Sequence, residues 1–168
     1  MITKPRLLAY PDCSQCPLRH KKKVLPDGPA PASIAIVGEG PGKNEERQGR
    51  GFVGASGEVL WQMCAQLGIR REDVWVTNAA LCYPEKVRLK ASGAVLPLEE
   101  VKRLSTHYCR PRLAAELNAV RPRVIIPIGN YALRSLTGIR EAKITKYRGS
   151  ITAVDLAVLQ QEVASCQQ

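Results

Sequence analysis

Short runs of apolar side chains, separated by polar and glycine-rich segments, are the dominant pattern in this chain. Three of these runs have the length of buried β-strands, at residues 34–37, 74–77 and 124–128. Each run is followed by glycine or asparagine and preceded by a polar residue, which bounds it as a strand. We therefore expect three short strands in a buried sheet.

The segments between these strands carry apolar residues at helical spacing. After the first strand, Ser56 is a candidate N-cap and Gly68 the expected end of a helix. The apolar residues of that helix are predicted to share one buried face, formed by Val59, Leu60, Met63, Cys64 and Leu67. Residues 98–120 read as two helices that meet near Pro111, because proline suits the first turn of a helix. A short helix through Leu136 follows the third strand.

Strands that alternate with helices predict an α/β fold of three layers, α/β/α, with a short central parallel sheet. The length of 168 residues fits a single domain, residues 1–168. Within it, residues 1–32 are rich in proline and are expected to be a cysteine-containing loop segment. Residues 33–150 would form the α/β core and residues 151–168 a divergent tail. Residues 83–97 read as an irregular basic insertion.

Composition adds a strong positive charge to an otherwise ordinary soluble protein. Hydrophobic residues make up 45% of the chain and charged residues 24%, while the formal net charge is +10 at pH 7. This charge favours a polyanionic partner such as nucleic acid, and a merely basic surface is the alternative. No apolar run approaches the roughly 20 residues that cross a bilayer, and the N-terminus lacks the apolar stretch of a secretory signal. We expect a cytoplasmic protein without a membrane partner.

Ligands of such sheets bind at the carboxyl ends of the strands. Here the first strand runs into Gly38-Glu39-Gly40-Pro41-Gly42, where the backbone can approach a ligand closely because glycine has no Cβ. The loop has neither the spacing of a Walker loop nor the third glycine of a dinucleotide fingerprint. Its Glu39 is either a site carboxylate or a solvated loop residue.

Two further side chains are candidates for contact with a ligand. Phe52, the only phenylalanine, lies in a glycine-flanked loop, where its ring would stack on a base or simply anchor the loop. Asn78 ends the second strand, and its amide can both donate and accept hydrogen bonds, as the edge of a pyrimidine requires. The alternative is a buried asparagine that only ties loops together.

Four of the six cysteines form a second candidate site. They are Cys13, Cys16, Cys82 and Cys109. The first two make a C-x2-C pair, and in a chain without an export signal such a set favours a metal centre over disulfides. Four thiolates suit either zinc or a [4Fe–4S] cluster, and their spacing does not choose between them. Of the other cysteines, Cys64 is expected in the core and Cys166 is expected to be a spectator in the tail.

Together these motifs resemble the family 4 uracil-DNA glycosylases, the iron–sulfur branch of the uracil-DNA glycosylase superfamily. The matching segments are residues 38–46, residues 49–54 with Gly57, Thr77-Asn78, the four cysteines and residues 127–129. The resemblance extends over roughly residues 10–150. It implies a uracil-DNA glycosylase-like fold and a monomer that hydrolyses the N-glycosidic bond of uracil in DNA, as in base-excision repair.

The resemblance also implies roles for individual residues. The pocket would be lined by Gly38, Glu39, Gly40, Glu45, Phe52 and Asn78. Phe52 would stack on a flipped-out uracil, and Glu45 would exclude the methyl group of thymine. Glu39 and Asn78 would be catalytic, the first beside the glycosidic bond with the attacking water and the second on the polar edge of the base. Cys13, Cys16, Cys82 and Cys109 would hold a [4Fe–4S] cluster, with zinc as the alternative.

Two features depart from the family pattern. Cys82 and Cys109 stand farther apart than usual, which fits the basic insertion between them. The family also carries a His-Pro motif downstream of the pair that corresponds to Arg148-Gly149, whereas the last histidine of this chain is His107. We therefore expect a C-terminal part that is truncated or divergent and an activity that is reduced. A non-catalytic iron–sulfur module that binds nucleic acid is the alternative function.

Overall fold

The predicted strands form one parallel sheet in the computed structural model, which describes residues 6–89 and 93–155. The elements, in chain order, are β1 (Ile34–Gly38), α1 (Lys43–Gln48), α2 (Ala55–Gln66), a 3₁₀ turn (Arg71–Asp73), β2 (Trp75–Asn78), β3 (Val87–Arg88), β4 (Val95–Leu96), α3 (Leu98–Val120), β5 (Val124–Ile128), α4 (Asn130–Thr137) and α5 (Ile144–Tyr147). None of the helices in the described ranges is long and apolar enough to cross a membrane.

The central sheet has the strand order β2-β1-β5, and all its pairings are parallel. Gly38, the last residue of β1, pairs with Asn78 on one side and with Ile128 on the other. The three strands therefore end at the same level. This register places the glycine loop and Asn78 side by side at one edge of the sheet.

Helices cover both faces of this sheet. On one face, Val37 and Trp75 pack against Leu113 of α3 and Leu136 of α4. On the other face, Ile36 and Val76 pack against Leu60 and Cys64 of α2. The prediction of a three-layer α/β/α fold is confirmed, as is the burial of Cys64.

The predicted face of α2 was wrong in part. The helix is capped by Gly54 rather than by Ser56. Its inner face is formed by Gly57, Leu60, Trp61 and Cys64, so the remaining apolar positions are rotated towards solvent. These exposed positions are Val59, Met63 and Leu67, which are 57%, 60% and 76% exposed. Apolar residues on both faces of a short helix leave its orientation to the tertiary contacts.

The break predicted at Pro111 was also wrong, because α3 continues through it as one helix of 23 residues. Proline removes one backbone donor from a helix interior. Packing outweighs that loss here, since Val101 before the proline and Leu113 and Leu117 after it are all fully buried.

The basic insertion is more regular than its sequence indicated. It contains the antiparallel hairpin β3–β4, in which Val87 pairs with Leu96 and Arg88 with Val95. Val87 and Leu96 pack against buried cysteines, while Arg88 and Val95 are exposed. Of the predicted tail, residues 151–155 carry no helix or strand, and Cys166 and residues 156–168 lie outside the described residues.

Candidate active site

A cavity of about 690 Å³ opens at the carboxyl ends of β1, β2 and β5. This volume falls in the range of small-molecule sites. All the predicted pocket residues line it, namely Gly38, Glu39, Gly40, Glu45, Phe52 and Asn78. Sequence reasoning thus located the residues of one crevice, which the register of the sheet brings together.

Phe52 and Asn78 meet over Gly38. A Cβ on Gly38 would lie 2.8 Å from Cζ of Phe52 and would overlap Oδ1 of Asn78. Asn78 is buried, and a Cβ on Gly51 would lie 3.7 Å from its Nδ2. An aromatic ring and an amide are therefore fixed side by side, and only a residue without a side chain fits beneath them.

The backbone of Phe52 is held in an unusual conformation. Its φ of 54° lies in the left-handed region, which is costly for an aromatic residue. The carbonyl oxygen of Phe52 accepts hydrogen bonds from Nε1 of Trp61 at 3.0 Å and from Nη1 of Arg71 at 3.2 Å. Gly57 packs directly beneath this carbonyl, where a Cβ would collide with it. These contacts fix the position of the ring in the crevice.

Arg71 connects this loop to the N-terminal segment. Its Nη2 donates to the carbonyl oxygen of Gly51 at 2.7 Å and lies 3.6 Å from the buried carboxylate of Asp27. Arg50 binds the same carboxylate at 2.7 Å. Burial lowers the pKa of Arg71, the charge of Arg50 lowers it further, and Asp27 opposes both effects. The cation also lies over the ring of Trp61, with 4.7 Å between Cζ and the ring centroid.

Glu45 lines the cavity, but one of its oxygens is committed to the loop. The oxygen Oε1 accepts hydrogen bonds from the backbone amides of Val53 at 3.0 Å and Gly54 at 2.8 Å. The carboxylate therefore lies at the N-terminus of α2, where negative charge is favourable. This arrangement gives Glu45 a clear structural role in the loop that carries Phe52.

Glu39 stands on the opposite wall, at the start of α4. Its Oε1 accepts a hydrogen bond from the backbone amide of Tyr131 at 3.1 Å, and its side chain packs on Gly129, whose φ is 100°. The hydroxyl of Tyr131 donates to Oε2 of Glu99 at 2.9 Å. Burial, followed by this hydrogen bond, raises the pKa of Tyr131 to about 12. Sequence reasoning missed Tyr131, which follows Asn130 at the end of a strand.

A buried ion pair behind Asn78 was missed as well. Arg112 and Glu116 of α3 are fully buried and lie 2.9 Å apart, and the guanidinium reaches the backbone of β2. The available signal was two opposite charges four residues apart within an otherwise apolar stretch of a helix. Such a pair usually lies on a solvated surface, so the pattern alone did not indicate a role in the site.

The four candidate cysteines come from three separate segments. Cys13 and Cys16 lie in a tight turn, in which the backbone amide of Cys16 donates to the carbonyl of Cys13 at 3.1 Å. The N-terminal segment also forms a β-bridge between Lys23 and Cys82, which follows the end of β2. Cys109 is buried on α3. The described cysteines are free thiols and form no disulfide.

Electrostatic effects indicate that these thiols share one region. Burial, together with the nearby Cys109, Cys16 and Cys13, raises the pKa of Cys82 to about 12, while Lys23 opposes this shift. The chemistry of this donor set fits a four-thiolate centre. In the parts of the chain that the structure describes, however, no group of three or more His, Cys, Asp or Glu side chains is arranged to hold a metal ion as it stands. The metal prediction therefore stays a prediction.

The fold and the crevice define an α/β protein with a ligand site at the carboxyl edge of a parallel sheet. Comparison with known proteins makes this assignment specific. The pattern of the uracil DNA glycosylase superfamily matches residues 25–163. This chain therefore belongs to the uracil DNA glycosylase superfamily.

Several relatives within this superfamily are type-4 uracil-DNA glycosylases. The protein of that name from Pyrobaculum aerophilum is 34% identical over 157 residues, which cover 90% of this chain and 74% of the relative. The one from Archaeoglobus fulgidus is 36% identical, covering 85% of this chain and 69% of the relative. The one from Thermotoga maritima is 34% identical, covering 82% and 67%. These matches confirm the resemblance drawn from the sequence motifs.

Proposed function

We propose that this protein is a uracil-DNA glycosylase, which hydrolyses the N-glycosidic bond between uracil and deoxyribose in DNA. The observation that carries the proposal is the convergence of Phe52 and Asn78 over Gly38. A ring for stacking and an amide for a polar base edge are the two elements that recognise a single extruded base. The names of the relatives favour this function over a non-catalytic module.

The reaction proposed for the crevice begins with extrusion of uracil from the DNA. The base then stacks on Phe52, and the amide of Asn78 hydrogen-bonds its polar edge. As the glycosidic bond breaks, negative charge develops on the base, and donors already aimed at it stabilise the departing anion. Glu39 lies on the opposite wall, where its carboxylate would position the attacking water and face the positive charge that develops on the sugar.

Positive charge around the crevice suits a DNA substrate. Lys43 and Lys102 both line the cavity, and the whole chain carries a net charge of +10. Lysines at the rim would bind the phosphates on either side of the extruded nucleotide. We propose that the protein acts on such DNA as a monomer.

We further propose that Cys13, Cys16, Cys82 and Cys109 hold a [4Fe–4S] cluster, with zinc as the alternative metal. Such a group would supply structural cross-links between the N-terminal segment, the end of β2 and α3. The hydrophobic packing of Val87 and Leu96 against Cys16 and Cys82 would then attach the β3–β4 hairpin to the same point.

The test uses protein purified without oxygen and a single-stranded oligonucleotide that contains one uracil. We expect release of free uracil with multiple turnovers, and a loss of at least about 100-fold in Asn78→Ala, because a donor to the developing charge is removed. Salt-sensitive DNA binding without any uracil release by the wild-type protein would instead favour the non-catalytic module. Iron and zinc contents of the same sample decide between the two metals.

A further inference from the structure

We infer that Arg112 is a positioning residue for Asn78, and that it acts by holding the backbone of β2 at the floor of the crevice. The inference rests on the proposed function, because it concerns the residue proposed to read uracil. It starts from one geometric observation. The guanidinium of Arg112 donates to the carbonyl oxygen of Asn78 at 2.6 Å and to that of Ala79 at 3.2 Å.

These two carbonyls lie where the strand has no neighbour on its outer side. Strand β2 is at the edge of the described sheet, and β1 pairs with its inner side only. On the outer side, Asp27 exchanges backbone hydrogen bonds with Val76, and Val24 donates its amide to Leu81. Between these contacts, Arg112 provides the donors that a neighbouring strand would otherwise supply. The carbonyls of Asn78 and Ala79 thus depend on a side chain for these hydrogen bonds.

The guanidinium is itself held by a chain of buried contacts. Its Nη1 donates to Oε2 of Glu116 at 2.9 Å and to Oγ1 of Thr77 at 3.1 Å. The other oxygen of Glu116 accepts a hydrogen bond from Nε1 of Trp75 at 2.9 Å. Both charged side chains are 0% exposed. These contacts fix the orientation of the Arg112 side chain. Its hydrogen bonds to the backbone in turn fix the position of Asn78.

Stability alone does not account for this pair. Burying two charges carries a large desolvation cost, and apolar residues of similar volume often stabilise a fold as well or better. Moreover, Nε of Arg112 is buried and has no hydrogen-bond partner among the described residues, which is a further cost. The planar guanidinium binds both carbonyls through Nη2 while Nη1 binds Glu116 and Thr77. These four contacts exceed the three donors of a lysine ammonium, and an apolar residue makes none of them. A small displacement of Asn78 would reduce catalysis strongly, since misplacement by about 1 Å can cost roughly 100-fold in rate.

The experiment compares Arg112→Lys with Arg110→Lys, a control on the same helix whose guanidinium donates to the carbonyl of Ser135 at 3.0 Å, facing α4. Three quantities are measured: kcat and KM on the uracil oligonucleotide, thermal stability, and hydrogen exchange of residues 77–81 without DNA. For Arg112→Lys we expect kcat to fall about 10- to 100-fold with KM nearly unchanged, and exchange in this segment to accelerate. Arg110→Lys should match the wild type in kcat and in the exchange of residues 77–81.

The double variant Arg112→Met/Glu116→Leu covers the case in which Arg112→Lys does not fold, because it leaves no unpaired buried charge. If it is folded and kcat is lowered, the inference is supported. The inference would be overturned if either folded variant had the kcat and the hydrogen exchange of the wild type. It would also be overturned if neither variant folded, because the ion pair would then serve stability alone. If the wild-type protein releases no uracil, the proposed function fails, while the exchange of residues 77–81 still tests the contact between Arg112 and the strand.

Discussion

The side-chain oxygen Oε1 of Glu45 accepts a hydrogen bond from the backbone amide of Gly54, the residue that caps α2, at 2.8 Å. The same oxygen accepts a second hydrogen bond from the amide of Val53. Phe52 immediately precedes these two residues. The position of its ring therefore depends on the carboxylate of Glu45, which lies nine residues before Gly54 in the chain.

Glu45→Ala is therefore expected to disorder the Phe52 loop. The change leaves two partly buried amides without their acceptor, at a cost of about 1–3 kcal/mol for each group that water does not satisfy. Glu45→Gln retains Oε1 as an acceptor and should keep most of the activity. The measurement is kcat/KM on uracil DNA together with unfolding in urea. If glutamine is as damaging as alanine, the charge of Glu45 acts in the crevice, and the loop contact is not its main role.

Gly38→Ala should abolish activity while the fold is retained. Alanine is compatible with the extended backbone of β1, but its Cβ would overlap the amide of Asn78 and lie 2.8 Å from the ring of Phe52. Both obstructing groups are the ends of side chains, so they can move aside without disrupting the sheet. We expect kcat/KM to fall by at least about 100-fold, with thermal stability close to that of Ser33→Ala, an exposed change just before the same strand. Normal activity in Gly38→Ala would show that the base does not enter between these two side chains.

Substitution of one of the four proposed ligand cysteines should remove the proposed metal. In Cys109→Ser, a hard and weakly acidic hydroxyl replaces a thiolate that the proposed cluster requires. Cys64→Ala is the matched control, since Cys64 is equally buried but lies on the inner face of α2 among apolar residues. Iron content per chain and visible absorbance are measured on protein prepared without oxygen. Retention of full iron by Cys109→Ser would remove Cys109 from the proposed ligand set. Equal loss of iron by Cys64→Ala would show that the loss does not depend on the proposed ligands.

Tyr131 gives the protein a predictable response to alkaline pH. Its pKa is raised to about 12, first by burial and then by the hydrogen bond to Glu99, from an ordinary value of 10.0. The folded state therefore holds this proton more tightly than the unfolded state. The stabilising contribution is complete below pH about 10 and is lost as the pH rises towards about 12.

The check is the difference in unfolding free energy between the wild type and Tyr131→Phe at several pH values. This difference should be constant up to pH about 10 and should decrease above it. Tyr10→Phe, which changes a side chain that is 83% exposed, should not affect stability anywhere in the range. A difference that increases with pH would contradict the assigned direction of the shift.

The sequence was sufficient to predict the parts of the site that follow from sheet geometry. Strands in parallel must end at one edge, so Glu39 after β1 and Asn78 at the end of β2 had to lie close together. The prediction that Phe52 joins them came from motif resemblance, because nothing in local propensity indicates a left-handed phenylalanine. Its conformation depends on donors from Trp61 and Arg71, which are distant in sequence.

The predictions that failed concern choices that only tertiary contacts make. The apolar residues of α2 surround the helix, so Leu60 and Cys64 became the inner face only because the sheet lies on their side. Pro111 remains within α3 because both halves of that helix are buried, Val101 against Cys16 and Cys82 and Leu113 against the central sheet. The burial of Arg112 with Glu116 likewise depends on Trp75 and on the free edge of β2, which no local pattern reveals.

Helix α3 carries residues of the cavity, of the proposed metal site and of the buried ion pair along its length. Lys102, Ser105 and Thr106 line the cavity, Cys109 follows one turn later, and Arg112 lies one turn beyond it. One inserted or deleted residue rotates everything downstream by about 100° about the helix axis. Such a change would therefore disturb the relative positions of the cavity residues, Cys109 and Arg112. Length variants of this protein should therefore be accepted in the β3–β4 hairpin, which precedes the helix, and rejected between residues 102 and 112. The hairpin is therefore the place to attach a probe or a second module without changing the spacing of residues along α3.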